Sequence, residues 1–171
     1  MENQRLVMGK FNNSQKESFL GSIPTTSLDN DTDKLTLKCK FNFAYFNPHQ
    51  DAGQDFNEWN HPELVKLFNK LKNYSEESLE YWKTQLTGKY PLFSTYVNFP
   101  VNSDFEEPKN IPHQAIWARF HLENKVRLVG FVIPDSYHGN AHSKTKETFD
   151  KNTFYIVFLD KNHLFYKTKK S

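Results

Sequence analysis

The chain has 171 residues, which is enough for one domain with a polar extension. Its 22 Lys and Arg residues and 20 Asp and Glu residues leave a net charge of +2. This excess is too small for the overall charge of the chain to bind nucleic acid, so any basic site must be a local patch. Hydrophobic residues make up only 37%, but 16 Phe residues can fill a core from few positions because each aromatic ring buries a large area.

Residues 1–34 are polar and follow no sustained hydrophobic period, which predicts an N-terminal arm or a peripheral loop. The N-terminus lacks the apolar stretch of a signal peptide, and the apolar runs of the chain are too short to span a bilayer. The single cysteine, Cys39, excludes an intrachain disulfide and is interpreted as a small buried side chain. We therefore expect a cytoplasmic protein without a membrane partner.

Residues 35–45 alternate between apolar and polar side chains, which predicts a half-buried strand. A helix is predicted to follow Asn60, because Asn60 can cap it, Pro62 suits its first turn and Glu63 completes a capping box. The apolar stripe of this helix consists of Leu64, Leu67, Phe68 and Leu71.

A second helix is predicted to begin at Ser75 and to end at Gly88. Its inner face is formed by Leu79, Trp82 and Leu86. Residues 91–99 predict another strand, and the acidic, proline-containing segment 101–112 predicts a loop.

The strongest local pattern is a hairpin of two strands, residues 115–122 and 126–133. A three-residue turn places Leu122 opposite Val126 and collects apolar side chains on one face. A two-residue turn would bring lysine and arginine onto that face, so the three-residue turn is predicted.

After the hairpin, the polar residues 134–152 predict a long loop. Residues 153–159 are almost wholly apolar, which is typical of a strand buried on both faces, and residues 164–167 predict a last strand before a basic tail. Together these elements predict a single α+β domain over residues 35–171, in which a helical pair packs on a mostly antiparallel sheet.

The other face of the predicted hairpin carries cations and aromatic rings. In the predicted register Phe120 lies opposite Leu128, so His121 lies opposite Arg127 on that other face. The candidate RNA-binding residues are Trp117, Arg119, His121, Lys125 and Arg127. Guanidinium groups bind phosphates and rings stack on bases, so this combination points to nucleic acid. The alternative interpretation is a solvated face whose rings pack beneath a loop.

His163 follows Asp160 across a predicted turn, where a carboxylate can orient an imidazole and raise its pKa for acid–base catalysis. The alternative is ordinary turn chemistry of an aspartate. His138 and His142 lie four residues apart, but in a Gly-containing loop without an HExxH or CxxC pattern, so no metal site is predicted. The chain has no P-loop, GxGxxG or GxSxG motif, and no cofactor is predicted.

Three C-terminal segments resemble the ending of a group of small, mostly uncharacterised bacterial proteins. They are WARFHL (117–122), KVRLVGF (125–131) and FYIVFLDKNHLFY (154–166). The order of strand, two helices and antiparallel strands with basic residues and a terminal tyrosine is similar to that of the RelE/ParE-like toxins. This resemblance implies metal-independent cleavage of messenger RNA on the ribosome, with His163 or Tyr166 handling the proton. The residues it implies for stabilising phosphate charge are Arg119, Lys125 and Arg127.

Two functions are therefore hypothesised. The first is a toxin-like RNA-binding protein or metal-independent ribonuclease, with RNA, the ribosome or an antitoxin protein as partners. The second is a non-enzymatic interaction protein of a mobile element or defence locus. In the second, the aromatic hairpin face and the 134–152 loop would contact another protein, because Trp, Tyr and Arg are common interface anchors.

Overall fold

A computed structural model describes residues 14–23, 27–28 and 34–167. The chain divides into two units, Met1–Leu35 and Thr36–Ser171. In the first unit, helix α1 spans Ser14–Ser22 and none of its residues is buried. Most of the predicted N-terminal arm, and the end of the predicted basic tail, lie outside the described residues.

The second unit contains two α-helices and a five-stranded sheet. Helices α2 and α3 span His61–Tyr74 and Leu79–Thr84. The strands are β1 (Lys40–Asn42), β2 (Leu86–Thr87), β3 (Tyr90–Pro91), β4 (Phe93–Tyr96), β5 (Ile116–Glu123), β6 (Val126–Val132) and β7 (Thr153–Asp160). The sheet order is β1-β7-β6-β5-β4, antiparallel except for the β1–β7 pair, while β2 and β3 form a separate ribbon. The predicted α+β class is confirmed, and no described helix has the length and apolar character needed to cross a membrane.

The start of α2 follows the sequence signal. The Asn60 side chain accepts a hydrogen bond from the Glu63 N–H at 3.0 Å, and the Glu63 carboxylate accepts one from the Asn60 N–H at 2.9 Å. Pro62 lies in the first turn. The predicted capping box is therefore confirmed, and it satisfies N–H groups that lack partners inside the helix.

The second helix begins later than predicted. Ser75 still donates its N–H to the last turn of α2, so Ser78 caps α3 instead. Leu86 is 62% exposed and lies in β2, and Gly88 has a φ of +60° in the turn that joins β2 to β3. Two residues of the predicted inner face are buried in α3, Leu79 and Trp82.

The predicted strand over residues 35–45 is reduced to the short strand β1. Only Lys40–Asn42 pairs with β7, in parallel, and Leu35 and Leu37 are about half exposed in a 3-10 turn. The alternation is wrong as a guide to strand length because only residues 40–42 of this edge strand pair with β7, and the Cys39 N–H donates instead to the Glu77 carbonyl oxygen at 2.9 Å. Cys39 is buried as predicted, and burial raises the pKa of its thiol to about 12.

The hairpin of β5 and β6 has the predicted pairs, Phe120 with Leu128 and His121 with Arg127. Leu128 and Phe120 are fully buried on the face that α2 and α3 cover. Because side chains alternate along a strand, His121 and Arg127 lie on the opposite face. The separation of the two faces, on which the site depends, is therefore confirmed.

The turn of this hairpin is shorter than predicted. Asn124 and Lys125 form a two-residue turn in which Asn124 has a φ of +48°, and Glu123 rather than Leu122 pairs with Val126. A register shift at Leu122 adds one unpaired residue to β5, which replaces the residue that the shorter turn lacks. Leu122 therefore still lies in the core, with 4% of its surface exposed. Asparagine tolerates the left-handed conformation of such turns, and a bulge restores the facing that a longer turn would have given.

A second bulge determines from which face of the sheet the side chain of Asp160, the last residue of β7, projects. The β6–β7 register skips Val157, and the strand then resumes so that Asp160 pairs with Arg127. Without this extra residue Asp160 would point to the helix side. Gly130 makes the bulge possible, because a Cβ there would lie 2.0 Å from the Tyr155 carbonyl oxygen.

Hydrophobic cores lie on both faces of the sheet. The helix-facing core includes Leu67, Leu71, Tyr74, Phe120, Leu128, Phe154, Ile156 and Leu159. The opposite core includes Phe105, Trp117, Val129, Phe131, Val157, Phe158 and Phe165. The predicted strand over 164–167 is wrong, because this segment is irregular and contributes the buried Phe165 to the second core.

Candidate phosphate-binding site

Two arginines lie on the same face of the sheet, near the turn of the β5–β6 hairpin. Arg119 pairs with Val129 and Arg127 pairs with His121, so both guanidinium groups project on the side away from α2 and α3. The sequence has only one other arginine, Arg5, which lies outside the described residues. We define the arginine cluster as Tyr96, Arg119, His121, Arg127 and His163.

Arg127 is the more buried of the two, with 7% of its surface exposed. Its Nη1 donates to the carbonyl oxygens of Asn124 at 2.8 Å and Val126 at 2.9 Å, whereas its buried Nε has no acceptor among the described residues. Burial, and then repulsion from Arg119, lowers the pKa of Arg127 to about 10. The charged form of Arg127 is therefore less favourable in the folded protein than in water, and the attraction of Asp160 offsets this only in part.

Arg119 is held from β4. Its Nε donates to the Tyr96 hydroxyl oxygen at 2.6 Å, and its buried Nη1 has no acceptor in the part of the chain that the structure describes. Neither Arg119 nor Arg127 forms an ion pair with any carboxylate of residues 34–167. A charged donor that is buried without an acceptor is unfavourable, and oxygen atoms of a bound anion are acceptors of the kind that both guanidinium groups lack.

His121 has a defined tautomer. Its Nε2 lies 3.1 Å from the carbonyl oxygen of Asn124, which can only accept, so Nε2 carries the hydrogen and Nδ1 is left unprotonated. Burial and the charge of Arg127 lower the pKa of this imidazole, with smaller contributions from Arg119 and Lys70. His121 is therefore neutral at pH 7.

Asp160 builds the loop that carries His163. The Asp160 carboxylate is fully buried and accepts hydrogen bonds from the backbone N–H groups of Asn162, Leu164 and Phe165 at 3.2, 3.0 and 3.0 Å. These bonds explain why residues 164–167 cannot form a strand, since the N–H groups of Leu164 and Phe165 are already used. They also hold His163 in the left-handed conformation, with a φ of +61°.

Of the two interpretations of Asp160, pairing with the His163 imidazole and ordinary turn chemistry, the structure bears out the second. The carboxylate bonds to backbone N–H groups instead, and burial together with the charges of Arg127 and Arg119 lowers the pKa of His163. Asp160 opposes this shift only in part. His163 is therefore a neutral imidazole beside two arginines, which suits a proton acceptor better than a proton donor.

Tyr166 and Lys125 lie at the edge of the cluster. Tyr166 is 42% exposed, its ring centroid lies 5.3 Å from that of Tyr96, and its hydroxyl has no partner among the described residues. Lys125 is exposed in the hairpin turn, and its charge also lowers the pKa of His163.

Trp117 does not lie in the site, contrary to the prediction. It is 3% exposed, and its Nε1 donates to the Glu107 carboxylate at 2.9 Å. The ring therefore fills the second core and cannot stack on a base. Phe131, the other ring of the hairpin face, is equally buried at 2% exposure.

Comparison of the chain with known proteins gives no match. Neither family models, nor curated proteins, nor solved structures resemble it. The resemblance to RelE/ParE-like toxins therefore stays a prediction, and function must be inferred from the geometry of the site. Within residues 14–23, 27–28 and 34–167, no group of three or more His, Cys, Asp or Glu side chains is placed to hold a metal ion.

A cavity of about 450 Å³ lies on the other side of the hairpin turn, between α2 and the tip of the hairpin. Two of its three lysines have carboxylate partners: the Lys66 Nζ lies 3.0 Å from the Glu123 carboxylate, and the Lys161 Nζ lies 2.8 Å from the Glu63 carboxylate. Lys161 also covers the ring of Trp59 at 4.8 Å. Two carboxylates line this cavity beside its lysines, whereas neither Arg119 nor Arg127 pairs with a carboxylate of residues 34–167, so the arginine cluster is the better candidate for an anion.

Sequence reasoning found most of the cluster but missed Tyr96. The pairing of β4 with β5 places Tyr96 opposite Trp117 and within reach of Arg119. No turn connects these two strands directly, so their register could not be predicted from loop length. Turn chemistry of Asp160 was the alternative interpretation of the sequence, and the three backbone N–H groups that its carboxylate binds bear it out.

Proposed function

We propose that the arginine cluster binds the phosphodiester backbone of RNA and that His163 and Tyr166 assist its metal-independent cleavage. One observation carries the proposal: within the described part of the chain, the neighbouring Arg119 and Arg127 each keep a buried N–H without an acceptor, and neither is paired with a carboxylate. Phosphate oxygens are the acceptors that a guanidinium group binds best, because its planar donors match them in pairs.

Features at the edge of the cluster support RNA over a free anion. The exposed ring of Tyr166 stands next to Tyr96, where an unpaired base can stack, and Lys125 extends the positive charge along the hairpin turn. The resemblance noted from the sequence implies the same use of Arg119, Lys125 and Arg127. Single-stranded RNA is therefore the proposed ligand.

The cleavage step needs a proton acceptor and a proton donor. In the proposed reaction the ribose 2′-hydroxyl attacks the adjacent phosphorus while neutral His163 takes its proton. The P–O5′ bond breaks, Tyr166 supplies a proton to the leaving 5′-oxygen, and the products are a 2′,3′-cyclic phosphate and a 5′-hydroxyl. The two arginines stabilise the negative charge that develops on the phosphate oxygens.

The test is the binding and cleavage of a fluorescent single-stranded RNA, measured by anisotropy over a salt series and by mass spectrometry. We expect Arg119→Met and Arg127→Met to weaken binding and to reduce the dependence of log K on log salt by about 0.7 for each lost phosphate contact. The exposed Lys89, in the β2–β3 turn, provides the charge-matched control as Lys89→Ala. A DNA strand of the same sequence should bind without being cleaved, since it lacks the 2′-hydroxyl.

The outcomes separate the two parts of the proposal. No RNA binding at low salt, or equal loss in Lys89→Ala, contradicts RNA recognition by the cluster. Binding without a cyclic phosphate product contradicts the cleavage step alone. The alternative of a protein contact on the aromatic hairpin face has less support, because Trp117 and Phe131 are buried.

A further inference from the structure

A second cavity, of about 430 Å³, lies beneath the 134–152 loop. It opens between that loop, the end of the sheet and the chain that follows β1. The residues with aromatic rings in its lining are Tyr45, Phe131, Tyr137, His142, Phe149 and Tyr155. A volume of this size is typical of small-molecule sites.

The rings form two walls. On the sheet side, Phe131 and Tyr155 stack with centroids 4.8 Å apart and an interplanar angle of 7°, and Tyr45 meets both edge-on. On the loop side, Phe149 is met edge-on by Tyr137 at 5.7 Å and by His142 at 5.8 Å. Such a lining favours a flat, polarisable ligand, since aromatic rings gain from stacked and edge-to-face contacts.

The cavity also offers hydrogen-bonding groups that nothing else uses. The hydroxyls of Tyr45, Tyr137 and Tyr155 have no hydrogen-bond partner among the residues that the structure describes. His142 accepts through Nδ1 from the backbone N–H of Thr145 at 3.2 Å, which leaves the hydrogen on Nε2 as a free donor. The side-chain amide of Gln114 adds a donor and an acceptor at the rim.

No charged side chain lines this cavity. An anionic ligand would find no counter-charge there, and an ammonium ion would find no carboxylate. A lone aromatic side chain of a peptide has at most one polar group, so it would leave most of these donors and acceptors unused. A heterocyclic ring with several polar edge groups would use them.

We propose that this cavity binds the base of an uncharged nucleoside. The site shares no lining residue with the arginine cluster. Arg119, the nearer arginine, pairs with Val129, which lies two residues, or roughly 7 Å, from Phe131 along β6, and Arg127 lies twice as far away. This assignment does not depend on RNA binding by the cluster.

The test is calorimetric titration of the full chain with adenosine, cytidine, guanosine and uridine, each compared with its 5′-monophosphate. We expect at least one nucleoside to bind with a Kd below about 1 mM and more tightly than its monophosphate. Tyr137→Ala and Phe149→Ala should each weaken that binding about 3- to 10-fold, because each removes one ring contact. The exposed Tyr90, outside the cavity, gives the control Tyr90→Ala, which should bind as the wild type does.

A variant that keeps the ring protects the test against misfolding. Tyr155→Phe removes only a hydroxyl and should weaken binding, while Arg127→Met should leave it unchanged. The assignment is overturned if none of the four nucleosides binds, or if choline binds more tightly than all of them. It is also overturned if Arg127→Met weakens nucleoside binding while the cavity variants do not, because that result would place the ligand at the arginine cluster.

Discussion

Replacement of Arg127 by methionine separates a functional arginine from a structural one. Methionine keeps an unbranched apolar stem of similar length but removes the charge and all donors. If Arg127 held the fold together through a buried ion pair, its loss would cost about 3–5 kcal/mol. The geometry predicts a different result, because Arg127 has no carboxylate partner within the described chain and keeps a buried Nε without an acceptor.

The magnitude follows from two opposing effects. Burial and the neighbouring Arg119 lower the pKa of Arg127 from 12.5 to about 10, so keeping the charge costs the folded state roughly 3 kcal/mol. The bonds from Nη1 to the carbonyls of Asn124 and Val126 offset this by about 1.5 kcal/mol each. The two effects nearly cancel, so Arg127→Met should stay within about 1 kcal/mol of wild type, or about 2–4 °C in Tm.

The assay is thermal and urea unfolding of wild type and Arg127→Met at low salt, each with and without inorganic phosphate. Phosphate should raise the Tm of the wild type and not that of the variant, because only a protein that binds an anion in its folded state is stabilised by it. A loss of more than about 3 kcal/mol in Arg127→Met without phosphate would refute the reasoning, since it would show that Arg127 is a structural residue.

Three further outcomes follow from the structure. Gly130→Ala should lower the free energy of unfolding in urea by roughly 3 kcal/mol, because the added Cβ would lie 2.0 Å from the Tyr155 carbonyl oxygen. Gly21→Ala is the control and should leave the free energy of unfolding unchanged, because a Cβ at that position meets no atom within 4 Å. Asp160→Asn should also cost about 3 kcal/mol, since an amide presents one acceptor where the carboxylate now accepts three N–H groups. In the protein without RNA, the free energy of unfolding should be highest above pH 6.5 and should decline below that pH. His163 contributes up to about 1.4 kcal/mol per pH unit to this decline. The cause is that its pKa is lowered in the folded protein, so below pH 6.5 the unfolded chain binds a proton that the folded chain does not. RNA affinity should rise over the same range, as imidazolium is favoured beside phosphate. His163→Asn should weaken both pH dependences, and the part that remains belongs to His121, whose pKa is lowered as well.

Features of the fold that depend on neighbouring residues could be predicted from the sequence. The capping box at Asn60 and the pairing of Phe120 with Leu128 are set by local residue types and by alternation within one hairpin. The predicted strand over 35–45 failed because alternation does not reveal how far a partner strand extends. The predicted strand over 164–167 failed because a buried carboxylate, Asp160, takes the N–H groups that a strand would need.

The same distinction holds for the site. The cations Arg119 and Arg127 could be assigned to one face because the hairpin register was accessible from its sequence. The exclusion of Trp117 could not be foreseen, because the loop that buries it returns from a distant part of the chain. Tyr96 was inaccessible for a similar reason, since it reaches Arg119 only through the pairing of β4 with β5.

The most direct test of the phosphate site is NMR of protein labelled with ¹⁵N only in arginine. With three arginines in the sequence, the Nε–H spectrum contains three signals, which Arg→Lys variants assign. On titration with a short single-stranded RNA, the signals of Arg119 and Arg127 should shift together while that of Arg5 stays in place. Shifts confined to Arg5, or no shift of Arg119 and Arg127 at saturating RNA, would contradict phosphate binding by the paired arginines.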